Sequence, residues 1–237
     1  MAQVPDMAQR RGLDPRWLRK TLAKAHFLPT VARLITPPPQ GVAKNWRAYR
    51  ERFIEPVRIQ AGVRFWQANA HTLERAESEY GVPAQLIVGI IGVETVYGQQ
   101  MGSFRVIDAL ATLAFDFPKA HPRALERSAY FKSELEQFLQ LSQRARTDPL
   151  AMHGSYAGAM GMAQFMPSSW ARYAVDFDGD GRIDLLHSPP DVIGSVANYF
   201  KAFQWQSGMA EIYPVQLDAA TLDLDALLLP DILPTFS

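Results

Sequence analysis

The stretch Val82-Pro83-Ala84-Gln85-Leu86-Ile87-Val88-Gly89-Ile90-Ile91-Gly92-Val93-Glu94-Thr95 decides the fold class. Val82-Pro83-Ala84 is a helix start, because a proline near the first turn lacks only an N–H that the helix would leave unpaired. Leu86, Ile87, Val88, Ile90, Ile91 and Val93 follow. A helix apolar nearly all round belongs inside a protein, so the pattern predicts a buried central helix over about Val82–Val93. The run is too short to span a bilayer, which takes about 20 apolar residues.

On the N-terminal side, Gly81 is a helix stop. It ends what reads as one long amphipathic helix, Gln60 to Tyr80, with Val63, Phe65, Trp66, Ala70, Leu73 and Ala76 on its apolar side. Asn45 caps a polar helix from Trp46 to Phe53, which Pro56 stops or kinks. Pro37-Pro38-Pro39-Gln40-Gly41 interrupts the chain, and Asp6 to Ala25 is helical with a break at Asp14-Pro15. On the C-terminal side, helices are expected over Phe104–Ala114, Ser128–Arg146, Ser168–Val175 and Asp191–Phe203, with loop chemistry over Gly154–Gly161. Ser168 or Ser169 can cap the third of these. The tail holds a short strand candidate, Tyr213 to Leu217, and an apolar helix around Leu224 to Leu229. The expected class is mainly α, with little β.

Composition narrows function. The chain has 237 residues, 48% hydrophobic and 20% charged, an ordinary globular balance. Lys+Arg and Asp+Glu number 24 each, so no excess of positive charge points to nucleic acid. The absence of cysteine removes thiol catalysis and thiolate metal sites. The histidines His26, His71, His121, His153 and His187 show no zinc spacing, and neither a G-x-S-x-G elbow nor a P-loop is present. No signal peptide stands at Met1.

Three features carry chemistry. Glu94 ends the apolar run, where a carboxylate loses hydration and its pKa rises. A carboxyl kept protonated near neutral pH suits a general acid; a buried glutamate bonded to backbone or to an arginine would look the same. The segment Ser155 to Ser169 is rich in small residues that allow close backbone approach, and Gln164 offers both donor and acceptor beside Phe165. A plain turn before a capped helix also accounts for it. The third feature is Asp176-Phe177-Asp178-Gly179-Asp180-Gly181-Arg182-Ile183-Asp184, which follows the calcium-loop pattern at positions one, three, five and six. His187 stands where that pattern has a bidentate Glu, so another carboxylate must close the site, and Asp191 is the best placed. The other reading is an Asp/Gly-rich turn without metal.

Together these segments resemble the soluble and membrane-bound lytic transglycosylase B family of bacterial cell-wall enzymes. The resemblance rests on Ile87 to Thr95, Ile107-Asp108-Ala109-Leu110-Ala111-Thr112-Leu113, Ala157 to Ser169, the Asp176 loop, and Ile193 to Phe200, in that order. It implies an N-terminal helical region (1–80), a lysozyme-like helical core (81–210) holding the metal loop (176–191), and the start of a C-terminal region (211–237). It also implies cleavage of the MurNAc–GlcNAc bond of peptidoglycan without water. Glu94 matches the family's single catalytic glutamate, while Tyr49, Gln164, Phe165 and Tyr199 match sugar-binding positions. Asp176, Asp178, Asp180, the Arg182 carbonyl and Asp191 match ligands of a structural calcium; no catalytic cofactor is implied. The implied location is the periplasm or an outer-membrane-associated cell envelope of Gram-negative bacteria, with the export segment or lipid anchor upstream of the first helix and further cleft tyrosines beyond Pro234. Met162-Ala163 replaces a common Tyr-Gly, Phe203-Gln204-Trp205 replaces His-Gly-Trp, and Ala120 to Ser128 reads as an insertion. A lysozyme-type hydrolase and a non-catalytic peptidoglycan- or calcium-binding module stay open as alternatives.

Overall fold

The computed structural model describes residues 4–36 and 45–209. The elements, in chain order, are α1 (Val4–Arg11), α2 (Pro15–Leu22), α3 (Pro29–Ile35), α4 (Trp46–Glu51), α5 (Pro56–Ala68), α6 (Ala70–Tyr80), α7 (Ala84–Thr95), β1 (Phe104–Arg105), α8 (Val106–Phe115), α9 (Ala124–Ala145), β2 (His153–Gly154), α10 (Pro167–Tyr173) and α11 (Pro189–Ala202). The two strands pair antiparallel, Phe104 opposite Gly154 and Arg105 opposite His153. The architecture is mainly α.

Local chemistry sets most boundaries. The Asp14 side chain accepts the Arg16 and Trp17 N–H groups at 2.7 and 3.0 Å, with Pro15 opening α2. Asn45 caps α4 through the Ala48 N–H at 3.0 Å. Gly81 ends α6 in the left-handed conformation, φ 70°, where the missing Cβ removes the steric cost. Three expectations are corrected. Pro56 opens α5 rather than ending its predecessor, because Glu55 caps the Val57 and Arg58 N–H groups ahead of it. The single helix expected over Gln60–Tyr80 is two, broken at Asn69. That side chain donates to the Phe65 carbonyl at 2.8 Å and so competes with the helical ladder. The helix expected from Phe104 starts at Val106, since Phe104 and Arg105 are drawn into the strand pair.

Two hydrophobic cores organise residues Met1–Trp205, which form one compact unit. In the first, α8 lies among α1, α2, α3 and α9, with every residue from Val106 to Ala114 buried. In the second, α6, α7 and α11 enclose Leu73, Ile87, Ile91, Ile193 and Val196. Among the described residues before α7, α1–α3 pack with α8 and α9, and α5 and α6 with α7. The helix surrounded on all sides is therefore α8, and the buried central position expected for α7 is corrected. α7 buries Ala84, Ile87, Val88, Ile91 and Gly92, while Gly89 and Val93 remain exposed. Trp170 of α10 packs against both cores. The expected serine cap of α10 is corrected as well. Glu134 of α9, 3% exposed, accepts the Ser168 N–H at 2.8 Å, placing a carboxylate at the positive end of the helix.

Gln206–Ser237 form a second unit, of which only 206–209 are described. The expected C-terminal region with its strand and helix candidates lies outside the described residues, as does Pro37–Gly41. No helix among the described residues is long and apolar enough to cross a membrane.

Candidate active site

Glu94 sits in the last turn of α7 and keeps contact with solvent. The surrounding protein nonetheless strips part of its hydration, and that loss pushes its carboxyl above the ordinary glutamate value. Directly behind it the chain reverses through Val96, Tyr97 and Gly98, with φ of 52°, 57° and 87°.

The Gly154–Gly161 loop and its continuation pack against this reversal. Thr95 Oγ1 donates to the Met162 carbonyl at 2.7 Å. Gln164, itself at φ 50°, donates from Nε2 to the carbonyls of Met101 (3.1 Å) and Gly161 (3.0 Å). Met160 and Phe165 bridge across the turn between them. Phe165 is 7% exposed, and its ring lies 5.6 Å from that of Tyr199 on α11. Tyr199 in turn meets Tyr173 (5.1 Å) and Phe203 (4.6 Å). Tyr49 is exposed on α4, with its ring 5.0 Å from Phe53. The Arg58 guanidinium lies over Phe53 at 5.4 Å and donates to the Gly92 and Val93 carbonyls, tying this aromatic pair to the end of α7. A continuous set of contacts thus joins the Glu94 turn to Gln164, Phe165 and Tyr199 on one side and to Tyr49 on the other.

Two participants escaped the sequence reading. Tyr130 reads as one of the apolar residues of α9, yet it is exposed beside Tyr199. Burial and the Glu134 carboxylate push its phenol up, Tyr199 adds to the rise, and Arg127 opposes it. Arg58 gave no signal, since a lone arginine on a helix looks like any solvated charge. Other buried acids are already occupied. Asp108 is buried and gripped by Arg105 at 2.7 and 2.8 Å, with the His26 N–H on the same carboxylate. Glu136 pairs with Arg10 and Arg11. Asp116 lines a separate cavity of about 490 Å³ beside His26 and Phe115.

In the acidic loop the structure brings together Asp176, Asp178 and Asp191, each offering an oxygen within 4.8 Å of the others. Asp180 lies outside that group of three, and its carboxylate accepts the Arg182 N–H at 2.8 Å. Asp191, 1% exposed in the first turn of α11, accepts the N–H groups of Phe177 (2.8 Å) and Asp184 (2.7 Å). Burial pushes its carboxyl up, and those N–H groups oppose the rise. His187 turns to Asp184 at 3.1 Å, which leaves a hard, all-oxygen donor set that fits calcium or a similar cation.

Phe177 locks this loop to the second core. Arg75 of α6 stacks over its ring at 3.7 Å and donates to its carbonyl. The ring also fills the space beside Gly194 of α11. A Cβ there would stand 2.4 Å from Phe177 Cγ and 2.6 Å from its Cβ, at the stiff root of the side chain. Overpacking of this kind costs about 1–3 kcal/mol, so Gly194→Ala is expected to lower Tm by roughly 2–12 °C. A thermal melt unchanged from the parent would show that the loop yields freely at this point.

Comparison with known proteins identifies the family. The family model described as "Transglycosylase SLT domain" covers residues 1–229. The membrane-bound lytic murein transglycosylase B of Escherichia coli K12 is 47% identical over 213 residues, 86% of this chain and 57% of the relative. The chain therefore spans somewhat over half the length of that curated relative. The Escherichia coli lytic transglycosylase Slt35, solved in complex with calcium, is 48% identical with a TM-score of 0.77, over 86% of this chain and 62% of that one. SltB3 from Pseudomonas aeruginosa, solved with NAG-anhNAM-pentapeptide, is 32% identical with a TM-score of 0.75, over 88% of this chain and 54% of that one. With the match running through α7, the Gln164 loop and the acidic loop alike, this chain belongs to the SLT transglycosylase family.

Proposed function

We propose that the chain carries the catalytic core of a peptidoglycan lytic transglycosylase. The observation that supports it is a single desolvated glutamate at a helix end, beside a loop and an aromatic cluster suited to sugar rings. Glu94, protonated, gives its proton to the glycosidic oxygen between MurNAc and GlcNAc as the C1–O bond breaks. The resulting carboxylate takes the proton of the MurNAc C6 hydroxyl, whose oxygen attacks C1. The product is a 1,6-anhydro ring, and Glu94 ends the cycle protonated. One residue serves as acid and then as base, so no second carboxylate is needed, in contrast to the usual glycosidase pair.

Tyr49, Gln164 and Tyr199 hold the glycan, and Phe165, being buried, backs Tyr199. Both amide hydrogens of Gln164 have backbone acceptors, so its Oε1 is the atom left to accept from the sugar. Asp176, Asp178 and Asp191 hold a structural calcium, with Asp180 and the Arg182 carbonyl as further ligands by family likeness. When bound, the cation neutralises the clustered carboxylates and ties the loop to the start of α11. At calcium 100-fold above its Kd the fold gains about 2.7 kcal/mol, so calcium is expected to raise Tm and a chelator to reverse the rise. The site of action is the cell envelope, periplasmic or outer-membrane-associated, and the partner is the glycan strand.

Mass spectrometry of purified sacculi incubated with the protein tests this reading. Release of anhydro-muropeptides is expected. Reducing-end muropeptides would instead assign a hydrolase, and glycan binding without release a non-catalytic module.

A further inference from the structure

The chain behind Glu94 adopts a conformation that needs a reason. Val96 is β-branched and sits at φ 52°, followed by Tyr97 at φ 57°. Left-handed backbone is rare for such residues, and it persists only where surrounding contacts over-determine it. Three of the five non-glycine residues with positive φ among those described are Val96, Tyr97 and Gln164, all at the proposed site.

Two sets of contacts hold the reversal. The Tyr97 ring lies in a notch between α5 and α7, where a Cβ at Gly62 or Gly92 would come within 2.5 or 2.3 Å of its hydroxyl oxygen. It also stacks on Phe65 at 5.0 Å. The second set centres on Thr95, 0% exposed. Its Oγ1 donates to the Met162 carbonyl at 2.7 Å and accepts the Gly98 N–H at 2.9 Å. The Thr95 carbonyl accepts the Gln100 N–H at 2.8 Å. One buried hydroxyl therefore fastens the end of the helix bearing Glu94, the reversal behind it, and the loop bearing Gln164 and Phe165.

We propose that Thr95 is a positioning residue: its hydroxyl couples Met162 and Gly98 so that the Glu94 carboxyl and the sugar-holding loop keep a fixed mutual placement. The proposal rests on the lytic transglycosylase reading. Thr95 touches no substrate in this scheme; it acts by fixing the distance from acid to glycosidic oxygen, and a displacement of about 1 Å at a reacting centre can lower the rate roughly 100-fold.

The test compares Thr95→Val, which keeps the shape and loses the hydroxyl, with Thr95→Ser, which keeps the hydroxyl. A core control, Leu139→Ala, removes buried apolar volume in the first core. With solubilised glycan strands as substrate, Thr95→Val is expected to lose about 10- to 100-fold in kcat with KM within about twofold. Thr95→Ser is expected to stay within about threefold of the parent, and Leu139→Ala to keep kcat despite a lower Tm. The proposal is overturned if Thr95→Val retains the parent's kcat, if Thr95→Ser falls as far as Thr95→Val, or if Leu139→Ala does. Should Thr95→Val fail to fold, Thr95→Ala is read by the same criteria.

A second measurement is independent of turnover. Titration of the Glu94 carboxyl by ¹³C NMR is expected to give the same pKa in the parent and Thr95→Ser. A lower pKa is expected in Thr95→Val, because the loosened helix end admits water to the carboxyl. If the parent releases no anhydro-muropeptide, the functional reading fails and this titration alone decides the positioning role. A Thr95→Val titration coincident with the parent's overturns it.

Discussion

Glu94→Gln is expected to fold normally, bind glycan, and release almost no anhydro-muropeptide. The substitution keeps size and hydrogen-bonding shape and removes the proton that the mechanism moves twice. General acid–base catalysis contributes roughly 10²–10⁴-fold, and here acid and base are one group, so the loss of turnover is expected at or beyond the upper end of that range. The pH dependence has a definite sign. Desolvation raises the Glu94 pKa above its ordinary value, and the first step needs the protonated form, so activity falls as pH rises through the raised pKa. Stability follows the same group. A carboxyl whose folded pKa lies above its unfolded one supports the fold fully below the unfolded pKa and loses that support as pH rises through the folded value. Glu94→Gln removes that loss, so at neutral pH the variant is expected to melt no lower than the parent, as a strained functional site often allows. Parallel assays of muropeptide release and thermal melting across pH check both halves. Equal anhydro-muropeptide release from parent and variant would assign the proton elsewhere.

Asp191→Ala is expected to lower Tm by roughly 4–24 °C and to abolish any calcium-dependent rise. The carboxylate accepts the Phe177 and Asp184 N–H groups, and removing it leaves two donors unpaired in a buried setting. Each such group costs about 1–3 kcal/mol, and about 2–4 °C of Tm accompanies each kcal/mol in a chain of this size. An opposing effect sets where in the range the result falls. Burial and the neighbouring Asp178 both disfavour the Asp191 charge, so without calcium the substitution also relieves a cost. The gap between parent and variant is therefore expected to be smaller in chelator than in calcium. A gap independent of calcium would mean that Asp191 supports the loop only through its backbone hydrogen bonds.

Much of the fold was legible because its signals are local. Asp14, Asn45 and Gly81 act within one helical turn, through a carboxylate or amide on a nearby N–H or through a glycine free to take positive φ. The same holds for the start of α7 at Val82-Pro83-Ala84 and for the alternating carboxylates of the acidic loop. Glu94 was visible as a charge at the end of an apolar run, and Asp191 as a carboxylate within reach of a loop whose twelfth position cannot close it.

What the sequence alone determined is thus a helical chain, its main stops and starts, one anomalous acid and one acidic loop. What only the tertiary structure decided is which surfaces meet. α7 and α8 are both apolar runs, yet α8 is enclosed because α9 and the N-terminal helices cover it, while α7 keeps one side open where Glu94 emerges. Glu134 displaces the serines as the cap of α10 from 34 residues away, and Thr95 reaches Met162 across 67. Tyr130 joins Tyr199 from a helix whose periodicity marks it only as apolar. Periodicity and capping report interactions within a few residues, whereas burial and long-range hydrogen bonds depend on the partner that the folded chain brings alongside, and no residue carries that partner's position in its own local pattern.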